Sequence, residues 1–380
     1  MNGITPRQRM AVKKALELKV PFALYAQPGE REFSFYASAR PGLTWNRCHG
    51  PLFLLGEFAG KPGKTATIPC DYNADEFLAL DAVPPQPRCL VQTQKADTDI
   101  LDYKASIYAV VNELRNRIAG KESPGKVVIS RVISATSVGI DSILDVADEY
   151  FKRLKSTFRY VAYHHTTGLW IGATPEVVMD YDPKTGMLHT EALAGTLHPC
   201  DDEWDTKNRR EHNMVKDYIL QILSEHKVRI SGGKSHLLTV EKPFGRLRHL
   251  CTSITAIVKP QAIIPILSDL APTPAVGGFP REYATVSILT HELHMRRCYG
   301  GCVGVVSANQ ELNIYANLRC ALAVYDAEEN AWSYNIYAGG GITADSDPDA
   351  EWRESEAKAA PLRRAIEKVN TPNNGEDKKD

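Results

Sequence analysis

No apolar run in this 380-residue chain approaches the length needed to cross a bilayer, which argues against a helical membrane protein. Charge of one sign is scarce as well. Lys and Arg number 45 and Asp and Glu 46, a formal charge of −1, so no basic field invites nucleic acid or an anionic membrane. Cysteine pairing is also missing: Cys48, Cys70, Cys89, Cys200, Cys251, Cys298, Cys302 and Cys320 are scattered, with no CxxC pair. Buried, reduced thiols of a cytosolic protein are the expectation. There is no internal repeat and no low-complexity stretch of any length. The opening, "MNGITPRQRMAVKKALELKV", reads as an amphipathic helix without the apolar core of a signal peptide, so the expected compartment is the cytoplasm. "HELH" (His291 to His294) spaces its histidines by three where a zincin helix needs four, and reads as a helix surface.

What is present is an ordinary balance, 43% hydrophobic and 24% charged, in a chain long enough for a large core. Short apolar runs broken by Gly and Pro ("PFALYAQ", "REFSFYAS", "GPLFLLGEFAG") read as strands in an N-terminal portion, residues 1–90. The Pro-rich "AVPPQPRC" (82–89) connects it to residues 91–368, and a polar tail, 369–380, is expected to be disordered. A helix is predicted from about Thr98 to Ala119, then the strand "KVVISRVIS" and a helix over "DSILDVADEYFKRLK". Three strands follow, the middle one being the continuous run "LWIGATPEVVMDYD". "WDTKNRREHNMVKDYILQILSEH" carries Val215, Tyr218, Ile219, Ile222 and Leu223 on one helical stripe. "HLLTVEKP", "LRHLCTSITAIV", "CYGGCVGVVS", "NIYANLRCALAVYD" and "SYNIYAGGG" complete the strand signals. The pattern predicts a single large α+β domain, with mixed, mostly antiparallel sheets packed together and helices outside.

Several charged residues stand where burial would be costly. Glu211 falls on the apolar stripe of its helix, four residues before Val215. Either a cation or donor pairs with it there, or it is an end-of-helix glutamate bridged to Arg209 or Arg210. Asp347-Pro348 is a helix start, with Asp as cap and Pro in the first turn. Glu351, Glu354 and Lys358 then share one face beside Gly339, Gly340 and Gly341, either as a solvated surface or as ligands. Two such carboxylate helices suit Mg²⁺, which takes one or two carboxylates, several waters and an anionic substrate. Lys126 and Glu176 sit at the edges of apolar strands, where a solvated charge is the plainer alternative. Arg319, inside "NLRCALAV", is expected to grip a carboxylate or phosphate.

Ten motifs occur in order between residues 125 and 358: "GKVVISR", "GATPEVV", "EALAGT", "REHNMV", "RHLCTSI", "APTPAVGGFP", "YGGCVG", "NLRCAL", "YAGGGI" and "EWRESEAK". Together they resemble the chorismate-utilising enzymes, closest to the isochorismate synthase branch. The resemblance implies that Lys126 is the general base activating water for attack on ring C2. It implies that Glu176 is the general acid protonating the departing C4 hydroxyl. Glu211 and Glu351 would hold Mg²⁺, the only cofactor implied, and the substrate's ring carboxylate would bind that ion. Arg319, Gly339 and Gly341 would hold the enolpyruvyl carboxylate. Gly195, Thr196, His249, Tyr337 and Lys358 match positions lining the same pocket, with Glu354 and Ala275 at its border.

Within that family, Ala194 stands where aminodeoxychorismate synthases carry a lysine nucleophile. Lys126 stands where the ammonia-using anthranilate synthases typically lack lysine. Water is therefore the expected nucleophile. "PTPAV", with Ala275 and Val276, resembles enzymes that stop at isochorismate, although Ala271 replaces the His or Phe often found before that motif. A salicylate synthase, which goes on to eliminate pyruvate, is the alternative, and a silent chorismate-binding regulator is a third reading. Expected partners are chorismate and isochorismate alone, on a monomer. Tyr299 and the "APTPAV" context lean toward menaquinone rather than siderophore synthesis as the product's fate.

Overall fold

Two runs that read as single strands in the sequence are each cut in two, and the cuts organise the molecule. The computed structural model describes residues 3–40, 50–58, 65–93, 97–197, 203–233, 237–244 and 246–371; Cys48, Cys200 and the tail from residue 372 lie outside them. The chain opens with α1 (Pro6–Leu18), where Thr5 and Gln8 form a reciprocal capping box and Pro6 fills the first turn. Strands β1 (Phe22–Ala26), β2 (Ser34–Ala37), β3 (Leu52–Leu55) and β4 (Ala66–Pro69) follow, then α2 (Ala74–Leu78) and α3 (Ile100–Ala119). Next come β5 (Lys126–Val138), α4 (Ser142–Phe151), β6 (Phe158–His164), β7 (Gly168–Thr174), β8 (Val177–Asp182), β9 (Met187–Leu197) and α5 (Thr206–Glu225). The remainder is β10 (Thr239–Phe244), β11 (Leu247–Ile257), α6 (Pro260–Leu270), β12 (Gly278–Phe279), α7 (Arg281–His291), β13 (Cys302–Val306), β14 (Leu312–Ala316), β15 (Cys320–Asp326), β16 (Ala331–Ile342) and α8 (Pro348–Asn370).

These strands form two eight-stranded sheets, ordered β12-β5-β16-β15-β7-β6-β1-β2 and β10-β11-β9-β8-β14-β13-β3-β4. Every recorded pairing is antiparallel, the first of them Phe22 opposite Ala37. The N-terminal strands complete both sheets, so the Pro-rich connector joins parts of one body. The expected run "LWIGATPEVVMDYD" breaks at Pro175-Glu176, because proline has no N–H to continue a ladder. The chain leaves the first sheet at Thr174 and enters the second at Val177. "NIYANLRCALAVYD" breaks likewise at residues 317–319, where Arg319 takes φ +52°. A left-handed conformation at a non-glycine residue is strained by about 1 kcal/mol or more and persists only when its surroundings impose it.

Aromatic side chains fill the space between the sheets. Phe158 and Tyr315 stack at 4.5 Å, and a second stack runs Trp170–Tyr337–Tyr299 at 5.5 and 5.2 Å. On the outside of the first sheet, α1, α4 and α8 share one apolar cluster, while α3 and α7 share another against β5. Helices α5 and α6 cover the second sheet, and Val215, Tyr218, Ile219, Ile222 and Leu223 are buried there as the periodicity predicts. The "HELH" reading is corrected: α7 ends at His291, and Glu292 and His294 turn inward until each side chain is only 2% exposed. Glu292 Oε1 accepts from Ser130 N–H and Oγ, both at 2.7 Å, and from Arg296 at 2.6 Å. Among the described residues no helix is long and apolar enough to cross a membrane.

Helix α8 is fixed by Arg131 of β5. That guanidinium lies 3.7 Å from the Trp352 ring centre, donates to Ser355 Oγ at 2.8 Å and pairs with Glu356. Losing it removes the contact with the Trp352 ring and the hydrogen bond to buried Ser355, while Glu356 keeps Arg363 at 2.9 Å. Arg131→Met is expected to lower unfolding stability by about 2–3 kcal/mol, read by denaturant titration.

Candidate active site

The two sheet crossings lie side by side. Ala316 N–H donates to Glu176 O at 3.0 Å, and Ala173 N–H donates to Arg319 O at 3.2 Å. Glu176 and Arg319 therefore come from the two places where the ladders are interrupted, and both line one cleft. Glu211, His249, Tyr337 and Lys358 line it too, with Gly195, Thr196, Ala275 and the backbone of Gly339 to Gly341. The sequence-predicted residues converge, with one qualification of position. Lys126, Glu351 and Glu354 stand immediately behind the lining.

The three glycines form the end of β16 rather than a loop, opposite Ser130, Ile129 and Val128. Among the described residues no neighbouring strand covers their other edge, since β15 pairs with β16 only as far as Ile336. Lys358 Nζ donates to Gly339 O at 2.8 Å on that open side. In an antiparallel strand one residue's N–H and C=O point the same way, so the Gly339 and Gly341 N–H groups face the cleft. Side chains are excluded there by what lies close by. A Cβ on Gly340 would overlap Glu351 Oε2, and one on Gly341 would overlap Glu211 Oε1 and Lys126 Cε.

Three lysine–carboxylate pairs sit in this region. Lys126 is completely buried and its Nζ lies 2.8 Å from Glu211 Oε1, so neither the solvated reading of Lys126 nor the Arg209/Arg210 reading of Glu211 holds. Arg210 pairs instead with Asp345 at 2.9 Å. Lys358 pairs with Glu354 at 2.5 Å, and Lys207 pairs with Glu351 Oε1. Ser346 Oγ donates to the same Glu351 oxygen at 2.8 Å, whereas Glu351 Oε2 is buried without a partner. Burial pushes the Glu351 carboxyl above its ordinary value, against the pull of Lys207. Asp347 caps α8 as expected, accepting from Ala350 N–H at 2.8 Å.

Glu176 is the group whose proton is most plainly tuned. Burial raises it to about 7, with the Thr273 hydroxyl, donating to Oε1 at 2.9 Å, and Lys126 pulling it down. His249 is held neutral, pushed down to about 3 by burial and by Arg319. Its Nδ1 lies 2.9 Å from Gly195 O, an acceptor, so Nδ1 carries the proton and Nε2 is left to accept from Arg319 Nη2 at 3.3 Å. His249 thus orients an arginine rather than carrying protons. Arg319 Nη1 is buried and has no partner among the described residues.

The oxygen donors fit Mg²⁺. Glu351 Oε2 is buried without a partner among the described residues, beside the side-chain-free glycine strand, and hard cations take oxygen ligands. Among the described residues no three His, Cys, Asp or Glu groups close around a point, so waters or a ligand would complete the shell. Sequence reasoning missed Lys207 and Thr273. Lys207 precedes Glu211 by four residues on one helix face, a spacing that could have shown it.

The family profile described as "Chorismate binding enzyme" matches residues 72–367. The chain belongs to the chorismate binding enzymes. Isochorismate synthase MenF of Escherichia coli (strain K12) is 29% identical over 344 residues, covering 86% of this chain and 74% of that protein. The salicylate biosynthesis isochorismate synthase of Pseudomonas aeruginosa is 26% identical over 366 residues, covering 90% and 72%. Among solved structures, the menaquinone-specific isochorismate synthase MenF from Escherichia coli superposes with a TM-score of 0.68 at 22% identity, over 91% of this chain and 88% of that one. Anthranilate synthase component I from Streptococcus pneumoniae superposes at 0.60 and 17%, over 90% of each. The chorismate binding enzymes therefore share the fold across different reactions, and side chains have to discriminate among them. Thr273→Val removes a hydrogen bond that favours the ionised Glu176, so its titration is expected to move above about 7, followed by NMR of the labelled carboxyl.

Proposed function

We propose that the chain is an isochorismate synthase, converting chorismate reversibly to isochorismate with Mg²⁺. The observation that carries this reading is the buried Glu176, able to hold a proton near neutrality, in a cleft backed by a buried lysine and lined by an arginine whose Nη1 has no partner among the described residues. Lys126 takes the proton of the attacking water at C2, and Glu176 gives its proton to the departing C4 hydroxyl. The hydroxyl changes carbon and no electron acceptor is required. Arg319, kept in place by His249, and the Gly339 and Gly341 N–H groups hold the enolpyruvyl carboxylate. Glu211 and Glu351 would hold Mg²⁺, which when bound supplies charge neutralisation and a fixed position for the ring carboxylate.

The salicylate-forming reading is less favoured, since the Pseudomonas relative is itself named an isochorismate synthase. A silent binder would need neither a lysine buried beside the cleft nor a carboxyl displaced from its ordinary value. The leaning toward menaquinone rests on Tyr299, the "APTPAV" stretch and the likeness to the Escherichia coli menaquinone-specific enzyme.

With purified protein, Mg²⁺ and chorismate, the expected product is isochorismate without stoichiometric pyruvate, read by chromatography. Lys126→Ala and Glu176→Ala should each reduce kcat by about 10²-fold or more while keeping Mg²⁺-dependent chorismate binding. Near-normal turnover in either variant would refute its role. The pH profile gives a separate check. A carboxyl raised to about 7 is protonated below that pH and loses its proton above it. Forward kcat/KM should therefore show a descending limb as pH rises through about 7, set against the ascending limb of Lys126 as it sheds its proton; a descending limb left unchanged in Glu176→Gln would contradict Glu176 as the acid.

A further inference from the structure

Among the three lysine–carboxylate pairs, Lys207 is bound to a proposed metal ligand, and the proposed chemistry gives it no task. It projects from the first turn of α5, on the second sheet, across to Glu351 of α8, on the first. Its ammonium takes Glu351 Oε1, which also accepts from Ser346 Oγ at 2.8 Å. Glu211, one turn further along α5, and Glu354, three residues beyond Glu351 on α8, lie on the same two helices as this ion pair. One protein cation thus stands in the field of all three carboxylates at this end of the cleft. A divalent ion held by Glu211 and Glu351 would need the same field.

A monovalent and a divalent cation sharing those carboxylates repel each other strongly in a poorly solvated site. One of them has to withdraw, and exposure says which lysine can. The Lys126 side chain is 0% exposed, enclosed behind Gly341, whereas the Lys207 side chain is 23% exposed and has a flexible four-carbon stem leading to water. Glu351, at 1%, cannot follow it out.

We propose that Lys207 is a resident counter-ion of the metal site, neutralising Glu351 while no metal is bound and swinging to solvent when a divalent cation takes that carboxylate. The inference rests on the Mg²⁺ reading above and adds that metal affinity is set by competition with a side chain of the protein. The opposing picture is a fixed anchor that keeps Glu351 oriented with Oε2 free. It requires the opposite sign in the experiment.

Mg²⁺ is titrated by calorimetry into wild type, Lys207→Gln and Lys207→Arg, without chorismate. Removing the competing charge should tighten Mg²⁺ binding about tenfold in Lys207→Gln, and Lys207→Arg should bind no tighter than wild type. Weaker or unchanged binding in Lys207→Gln, with wild type still binding Mg²⁺, overturns the counter-ion alone and leaves the proposed function standing. Absence of Mg²⁺ binding in every protein, with or without chorismate, removes the metal reading and this inference together. A second measurement needs no variant. Trace acetylation of wild-type protein with acetic anhydride, read by peptide mass spectrometry, should modify Lys207 faster when Mg²⁺ is added. An unchanged or slower rate contradicts displacement.

Discussion

The arrangement of this molecule turns on the cost of placing carboxylates at the border of a closed core. Glu211, Glu351 and Glu354 each have a lysine within ion-pair distance, and in two cases the partners come from different elements. A buried charge without a partner destabilises by several kcal/mol, so the pairs constrain everything that positions them. Helix α5 has to present Lys207 and Glu211 one turn apart. Helix α8 has to begin at Asp347 so that Glu351 and Glu354 face the cleft, and Arg131 has to hold that helix against β5. The glycine strand follows from the same demand, because any side chain at Gly340 or Gly341 would occupy the carboxylates' space.

The second constraint is the pair of crossings between the sheets. A continuous ladder offers no free backbone and turns alternate side chains into core. Where Pro175 and the left-handed Arg319 interrupt two neighbouring strands, one carboxyl and one guanidinium escape that fate and enter the cleft. The aromatic stack ending at Tyr337 and Tyr299 closes the floor beside them, away from water. Burial there displaces Glu176 upward and lets Arg319 remain without an acid partner.

Periodicity sufficed for the long amphipathic helices, for the stripe on α5 and for the Asp347-Pro348 start, because a helix encodes its buried face locally. It failed at the crossings. "LWIGATPEVVMDYD" and "NIYANLRCALAV" are apolar on both sides of the break, since both flanking strands are buried between layers, and an apolar run does not say which sheet it joins. "HELH" failed for a related reason: its inward turn after His291 is held by Ser130, distant in sequence, together with Arg296 four residues beyond Glu292. The chemical residues were legible chiefly through the ordered motifs. Spacing alone left Lys126 and Glu211 open, and only the fold brings β5 against α5 to make them a pair. Lys207 matched no motif and was overlooked although its helical spacing was in view.

Formal charge in the cleft ties these observations together. Lys126, Lys207, Lys358 and Arg319 supply four positive charges against three from Glu211, Glu351 and Glu354, while Glu176 holds a proton near neutrality. The surplus of one belongs to Arg319, the group with no carboxylate of its own. On the proposed reading a dicarboxylate brings two negative charges, and entering alone it would leave one of them without compensation in a poorly solvated space. A dication entering with it restores a surplus of one, which is relieved when Lys126 sheds the proton it must lose to act as base, or when a lysine departs. Arg319 is too enclosed to leave, and Lys126 is both enclosed and needed for the chemistry. Lys207 already has access to water, so exposure marks it as the side chain able to leave.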